Sequence, residues 1–264
     1  MDRSATTRLV AVIAIVAIVG AAAAGIWYLF LRPSGPAPVS QPSAASSASP
    51  ASSASPASSP DAGASTAPAT DPATSANPAS GLDGTWTVDQ TIGSFSDFSS
   101  SFVGYRVQEE LAGIGGQEAV GRTPDVTGTL TLAGSQVTAV EMTADLTTLQ
   151  SDDDRRDNQL NRQALQTGQF PEASFSLTSP IELGSVPADG QTITTEATGD
   201  LTLHGQTKSV TMPLKATLNG DTVTVTGSID IVFADYGMEK PQSFIVLSVD
   251  DHGTMEFQLH FTRA

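Results

Sequence analysis

Residues 222–233 read TVTVTGSIDIVF, and every second position, namely Val223, Val225, Gly227, Ile229, Ile231 and Phe233, is apolar or glycine. Thr222, Thr224, Thr226, Ser228 and Asp230 lie between them. A period of two places the first set on one face of a strand and the second on the other. The same rhythm runs through Val210, Met212, Leu214, Ala216 and Leu218, and again through Met255, Phe257, Leu259 and Phe261. About six such segments fill the last 180 or so residues. Strands that are greasy on one face and wet on the other must close around something apolar, which predicts a β-barrel, with a sandwich as the alternative architecture. Whether side chains or a guest molecule fill the inside is the functional question.

Working outward, Trp86 and Val88 mark a first strand near Gly84, and Val103, Tyr105 and Val107 a second. The glycine-rich stretch Gly113–Gly121 reads as a loop. Val126, Gly128, Leu130 and Leu132 form a third strand, and Val140, Met142, Ala144 and Leu146 a fourth. Turns fall at Gly134-Ser135, His204-Gly205 and Asn219-Gly220, the last pair suiting the positive φ of a two-residue hairpin. Asp152, Asp153 and Asp154 lead into Arg155–Gln166, where Leu160, Ala164 and Leu165 keep helical spacing. The acidic start suits the positive end of a helix dipole, and Gly168 is positioned to end the helix. Pro171 then opens a strand with Ala173, Phe175 and Leu177, and Ala197, Gly199, Leu201 and Leu203 mark another.

The 264 residues carry a net charge of −16. The first 80 contribute nothing to it, because Arg3, Arg8 and Arg32 offset Asp2, Asp61 and Asp71. The folded part is therefore acidic and lacks clustered Lys and Arg, which excludes nucleic-acid binding through counterion release. There are no cysteines, so disulfides, thiolate metal sites, a cysteine nucleophile and a lipidated N-terminal Cys are all excluded.

Four regions are expected: a cytoplasmic N-terminus (1–8), a transmembrane anchor (9–31), a disordered Ala/Ser/Pro linker (32–82) and a β-domain (83–264). Leu9–Leu31 carries no charge and, at 1.5 Å per residue, is long enough for a hydrocarbon core of about 30 Å. A cleaved signal peptide is the alternative, since Ala21–Ala24 offers small residues for a peptidase. The apolar run then resumes through Leu31, with Trp27 and Tyr28 where an interfacial belt would sit, which favours a retained anchor. Arg3 and Arg8 precede the span and only Arg32 follows it closely, predicting a single-pass cell-membrane protein with its C-terminal domain extracytoplasmic. Pro33–Ser80 has no apolar face from which to build a core and reads as a flexible tether spanning about 40 Å.

Several stretches of the β-domain together resemble the YceI-like family: Trp86-Thr87-Val88-Asp89, Arg156-Asp157 with Leu160, Phe170-Pro171 with Phe175, and Leu201-Thr202-Leu203-His204-Gly205-Gln206-Thr207-Lys208. Asp235-Tyr236-Gly237-Met238 is similar to that family's aspartate-aromatic-glycine turn. The resemblance implies a mainly β, antiparallel, lipocalin-like barrel with one short helix, holding a long isoprenoid or similar amphiphile in its lumen. Ser94–Gly121 and Lys240–Asp251 depart from the family pattern and are placed to reshape the mouth of the cavity.

Catalytic and metal constellations are missing from the sequence. His204 sits in a turn, where the resemblance marks it as structural, His252 in another, and His260 on the polar face of the last strand; with no carboxylate or second histidine at ligand spacing, solvated surface is a better reading than a zinc site. No Gly-x-Ser-x-Gly elbow or phosphate loop is present. Asp152–Asp154 lack the alternating ligands and turn glycine of a calcium loop. Arg155, Arg156, Asp157 and Arg162 read as surface pairs, or as one buried pair holding helix to barrel. The expectation is a carrier, not an enzyme, without cofactor or metal. Its cavity-lining candidates are Trp86, Tyr105, Leu130, Met142, Phe175, Leu201, Met212, Ile229, Phe233 and Phe257, with Phe261 on the same apolar face. Gly128, Gly199 and Gly227 fall at apolar-face positions, where they either leave room or ease strand bends. Expected partners are an isoprenoid or other amphiphilic lipid and the cell membrane; a homodimer requires an open sheet edge. The alternative function is a surface-displayed structural or stress-response interaction module with a filled core.

Overall fold

The computed structural model describes residues 36–39, 81–242 and 246–264. The N-terminus (1–8), the anchor (9–31) and nearly all of the linker lie outside the described residues. Among those described, no helix is long and apolar enough to cross a membrane.

The β-domain is a closed antiparallel barrel. Its strands are β1 (Gly84–Val88), β2 (Phe102–Leu111), β3 (Gly115–Thr123), β4 (Val126–Ala133), β5 (Gln136–Asp145), β6 (Glu172–Leu177), β7 (Ile181–Glu182), β8 (Thr192–Leu203), β9 (Gln206–Asn219), β10 (Thr222–Val232), β11 (Val246–Val249) and β12 (His252–Arg263). Eight strands form the ring, in the order β1-β4-β5-β6-β8-β9-β10-β12, and β12 returns to β1 at Trp86↔Arg263. The first half of β12 has a different neighbour on that edge: Thr254–Gln258 pairs with β2 from Arg106 to Phe102. β2 in turn carries β3 and β11. The short β7 pairs with β5.

The alternation predicted for residues 222–233 is realised in β10, which pairs with β9 on one side and β12 on the other. Three two-residue turns link neighbouring strands. Gly134-Ser135 and His204-Gly205 stand where expected. The third is displaced by one residue: Asn219 still pairs with Thr222, so the turn is Gly220-Asp221, with the positive φ of 57° at Gly220.

Two further expectations are corrected. The Gly113–Gly121 loop is largely strand, since Gly115–Thr123 pairs with β2 along its whole length. Its apolar alternation is interrupted where Gly121 serves close packing. At Gly121 a side chain would collide with the Tyr105 ring lying across it. The helix is also shorter than predicted. α1 spans Asp154–Gln159, capped by Asp153, whose carboxylate accepts from the Arg155 N–H at 2.8 Å. A wider turn follows over Leu160–Ala164, with the Leu165 N–H donating to the Leu160 carbonyl at 2.9 Å. The chain leaves the helical conformation at Gln166 (φ 48°), two residues before Gly168.

Candidate functional site: an apolar lumen in two chambers

The inward residues of the ring, with β2, β3 and the helical segment at one end, bound two adjoining cavities. The larger is bounded by Trp86, Leu130, Leu132, Met142, Phe175, Ala197, Leu201, Met212, Leu214, Val225, Phe257, Leu259 and Phe261, among others. The smaller lies towards α1 and is bounded by Tyr105, Val107, Leu146, Leu149, Leu160, Leu165, Leu203, Ile231, Phe233 and Met238, with Glu109 and Arg156. The chambers offer about 150 and about 130 Å³ to the centre of a water-sized sphere. A single water needs about 10–15 Å³ by that measure, so each has room for many atoms. Val103, Ala173 and Met255 border both. Along β12 the lining runs from Phe261 in the first chamber to Gly253 in the second, eight residues or about 27 Å at strand rise. The lining is elongated along the strand.

Its walls are apolar because the polar groups of the lining aromatics are satisfied elsewhere or confined to one end. The Trp86 indole N–H donates to the Leu82 carbonyl at 3.0 Å, leaving the ring to face the lumen. The glycine positions are explained by packing. A side chain at Gly128 would meet Met142, one at Gly199 the Phe175 ring, and one at Gly227 both Phe257 and Leu214. The space these glycines release is occupied by neighbouring wall residues, so they let large side chains lie flat against the sheet.

Of the candidate lining residues, Trp86, Leu130, Met142, Phe175, Leu201, Met212 and Phe257 border the larger chamber. Tyr105 and Phe233 border the smaller. Ile229 borders neither and packs, partly buried, where the two apolar clusters meet. Phe261 also borders the larger chamber.

Polar chemistry gathers at the smaller chamber. Arg156 bridges Glu109 on β2 at 2.8 Å and Asp152 at 2.6 Å, which fastens α1 to the barrel. Burial works against the Arg156 charge, but Glu109 and Asp152 outweigh it and raise its pKa, so it remains a cation. Burial pushes the Tyr105 phenol up as well, keeping it a neutral donor. Among the described residues its hydroxyl, although buried, has no hydrogen-bond partner.

Two histidines expected at the surface are buried. His204, at φ 51°, is 8% exposed; its Nδ1 lies 3.0 Å from the Tyr236 carbonyl and its ring 4.4 Å from that of Phe170. His260 is also 8% exposed: its Nδ1 lies 3.0 Å from Thr224 Oγ1 and its Nε2 2.8 Å from the Ser99 carbonyl. It is covered because residues 89–101 cross the outside of β12, where Gln258 donates to the Phe98 and Ser100 carbonyls. The Ser94–Gly121 departure therefore builds an outer layer as well as β2 and β3.

That layer covers a cluster that sequence reasoning missed. Glu256 on β12 is 1% exposed and faces away from the lumen. It accepts from Arg106 Nε at 2.9 Å and from Arg122 Nη2 at 2.6 Å. The Arg122 guanidinium lies 4.6 and 4.1 Å from the Phe98 and Phe102 ring centroids. Burial lowers the Arg122 pKa, against the pull of Glu256. The available signal was period two in Gly104-x-Arg106 and Val120-x-Arg122, which sets both arginines on outward positions of paired strands.

A closed antiparallel barrel around an elongated apolar lumen defines a lipocalin-like class of protein. The YceI-like domain profile matches residues 86–261, two thirds of the chain. The chain belongs to the YceI-like family. It is 33% identical over 124 residues to protein YceI of Escherichia coli O6:H1, covering 46% of this chain and 59% of that protein. The match to protein YceI of Shigella boydii serotype 4 has the same identity and coverage. The chain thus spans about three fifths of the length of these relatives. Among solved structures, a polyisoprenoid binding domain from Saccharophagus degradans, implicated in plant cell wall breakdown, superposes with a TM-score of 0.53 at 18% identity. It covers 68% of this chain and 98% of that one, a likeness of fold.

Proposed function

We propose that this chain is a carrier that holds one long apolar or amphiphilic lipid, of polyisoprenoid type, in the barrel lumen without converting it. The observation that supports this most directly is the pair of adjoining apolar chambers, whose lining follows β12 for about 27 Å of strand. A chain-like guest gains about 0.8 kcal/mol per buried CH₂. The Tyr105 hydroxyl suits a guest with an uncharged oxygen at one end, since Glu109 and Asp152 already neutralise Arg156. The polyisoprenoid named for the Saccharophagus degradans domain belongs to the same chemical class. In this reading residues 9–31 anchor the protein in the cell membrane, with the barrel outside the cytoplasm and close to a bilayer that stores such guests. A display module with a filled core would account for the linker but not for the chambers.

Native mass spectrometry of the full chain, gently extracted from its host, tests the proposal. A bound mass of an isoprenoid lipid is expected. Ala197 is 3% exposed and borders the larger chamber, so Ala197→Trp should abolish that mass while the far-ultraviolet strand signal is retained. A parent protein that is reproducibly empty and takes up no isoprenoid in vitro would overturn it.

A further inference from the structure

The Arg106–Glu256–Arg122 cluster is not closed by the barrel alone. Arg106 Nη2 donates to the Pro36 carbonyl at 2.5 Å, and Arg122 Nη2 to the Ala37 carbonyl at 3.0 Å. The Val39 N–H donates to Glu256 Oε2 at 3.3 Å. Four residues from the start of the linker therefore lie against the outer face of β2, β3 and β12. We propose that this face is a docking site for the chain's own Pro36–Val39 segment, a clip made in cis that folds the linker back on the barrel.

Three features argue for that occupant. The first is hydrogen-bond complementarity. Glu256 engages one edge of each guanidinium, and the fork geometry leaves further N–H groups pointing outward. Carbonyls answer them well, and Pro36 and Pro38 add no competing N–H. Gly35 and Ala37 each precede a proline and are thereby biased towards extended backbone, which sets successive carbonyls out to the side.

The second is composition. Between Pro33 and Ser80 the sequence contains a single Pro-x-Pro, at Pro36-Ala37-Pro38, and a single aliphatic residue larger than alanine, Val39. Both lie in the segment that docks. The two Ala-Ser-Pro repeats further along the linker, at 48–50 and 54–56, have neither feature, so the register is encoded.

The third is reach. Residues 40–80 must span from Val39, beside Glu256, to Gly81, near the Trp86↔Arg263 end of β12. Glu256 to Arg263 is about 24 Å at strand rise. A random coil of forty-one residues has a root-mean-square span of about 35 Å, so the chain length from 40 to 80 is enough to cover that distance.

The consequence concerns distance from the membrane and rests on the anchor reading given under Proposed function; the docking itself does not. With the clip made, only Arg32–Gly35 separates the apolar run from the barrel, at most about 14 Å of chain. With it released, the tether reaches about 40 Å. The clip thus sets how near the bilayer the barrel is held.

Because the chain has no cysteine, spin labels can be placed at Ser40→Cys and Glu110→Cys in the full-length protein in detergent. Double electron–electron resonance should give a narrow distance distribution. Deleting residues 36–39 should abolish the narrow component while the far-ultraviolet strand signal of the barrel is retained, and Pro36→Gly with Pro38→Gly should broaden it. A broad distribution in the parent, or a narrow one that survives the deletion, would overturn the proposal. An equimolar mixture of singly labelled chains that gives the same narrow distance would also overturn it, by placing the segment on a second copy. Resistance to carbonate extraction tests the anchor separately, so failure of one reading is not mistaken for failure of the other.

Discussion

β8 and β12 are both twelve-residue strands of one barrel, and both turn apolar side chains inward, but they differ outside. On β8 the outward residues Thr194, Glu196, Thr198, Asp200 and Thr202 meet solvent. Their hydroxyls pair with β9 across the ladder, Thr198 with Thr211 at 2.9 Å and Thr202 with Thr207 at 2.8 Å. On β12 the outward Glu256 and His260 are buried beneath residues 89–101, with Pro36–Val39 adding to the cover. One wall of the barrel is a single layer and the other a double one. The single layer needs only to separate oil from water. The double layer must also satisfy every polar group it hides, and it does so with an ion cluster, two aromatic rings and backbone carbonyls.

If that contrast is right, the outer face of β12 is where polar substitutions cost most. Glu256→Gln keeps the volume but leaves two arginines, 7% and 3% exposed, with only the half-exposed Glu118 for compensation. Removing one member of a buried ion cluster costs about 3–5 kcal/mol. Glu196→Gln, at an exposed outward position of β8, should fall within about 0.5 kcal/mol of the parent. Chemical denaturation of the two variants side by side measures the difference; equal losses would break the contrast.

The inner faces should behave alike in both walls. At Gly199 on β8 an added methyl would press on the Phe175 ring and the Ser176 carbonyl, and at Gly227, opposite β12, on Phe257 and Leu214. Gly199→Ala and Gly227→Ala should each cost about 1–3 kcal/mol through overpacking. A much larger loss at Gly227 alone would mean that the double layer stiffens the inner face as well.

The same contrast explains what could be read from the residues alone. β8, β9 and β10 have one wet face, so their alternation was plain, and with it the barrel and the turn at His204-Gly205. From sequence β3 resembles a loop because its outward Arg122 is buried and its inward Gly121 receives the Tyr105 ring, so neither position shows the pattern of a half-solvated strand. His260 resembles a surface residue in sequence because its cover comes from residues some 160 positions earlier. Nine of the ten lining candidates border a chamber because inward position follows directly from period two; Ile229 shares the period but sits between the chambers. The Arg106–Glu256–Arg122 cluster joins residues up to 150 apart, a pairing that only the strand order supplies.

The outer threonines sharpen the comparison at a smaller scale. A double-mutant cycle of Thr198→Ala and Thr211→Ala should return a coupling of about 0.2–1 kcal/mol, the range for a cross-strand pair facing solvent. Thermal unfolding of the four proteins measures it. A coupling several times larger would mean that the β8–β9 ladder holds its wall together, and the single layer would then depend on outer polar contacts as the double layer does.

The smallest effect belongs to an ion pair with no cover at all. His252 and Asp251, at 55% and 82% exposure, lie 2.9 Å apart in the turn that opens β12. The hydrogen bond to Asp251 raises the His252 pKa above its ordinary 6.5, and its counterpart lowers that of Asp251 below 3.8. A raised histidine contributes below its unfolded value and loses that contribution as pH rises through the folded one. A depressed aspartate loses its contribution as pH falls through its own folded value. The pair is thus complete only between those two folded values. Imidazole resonances followed by NMR should place the His252 midpoint above 6.5, and Asp251→Asn should move it back towards that value without shifting the unfolding midpoint. Solvent screens this pair, whereas Glu256 is 1% exposed and is screened far less. The same carboxylate chemistry on one strand should therefore register locally at one end and across the whole fold a few residues away.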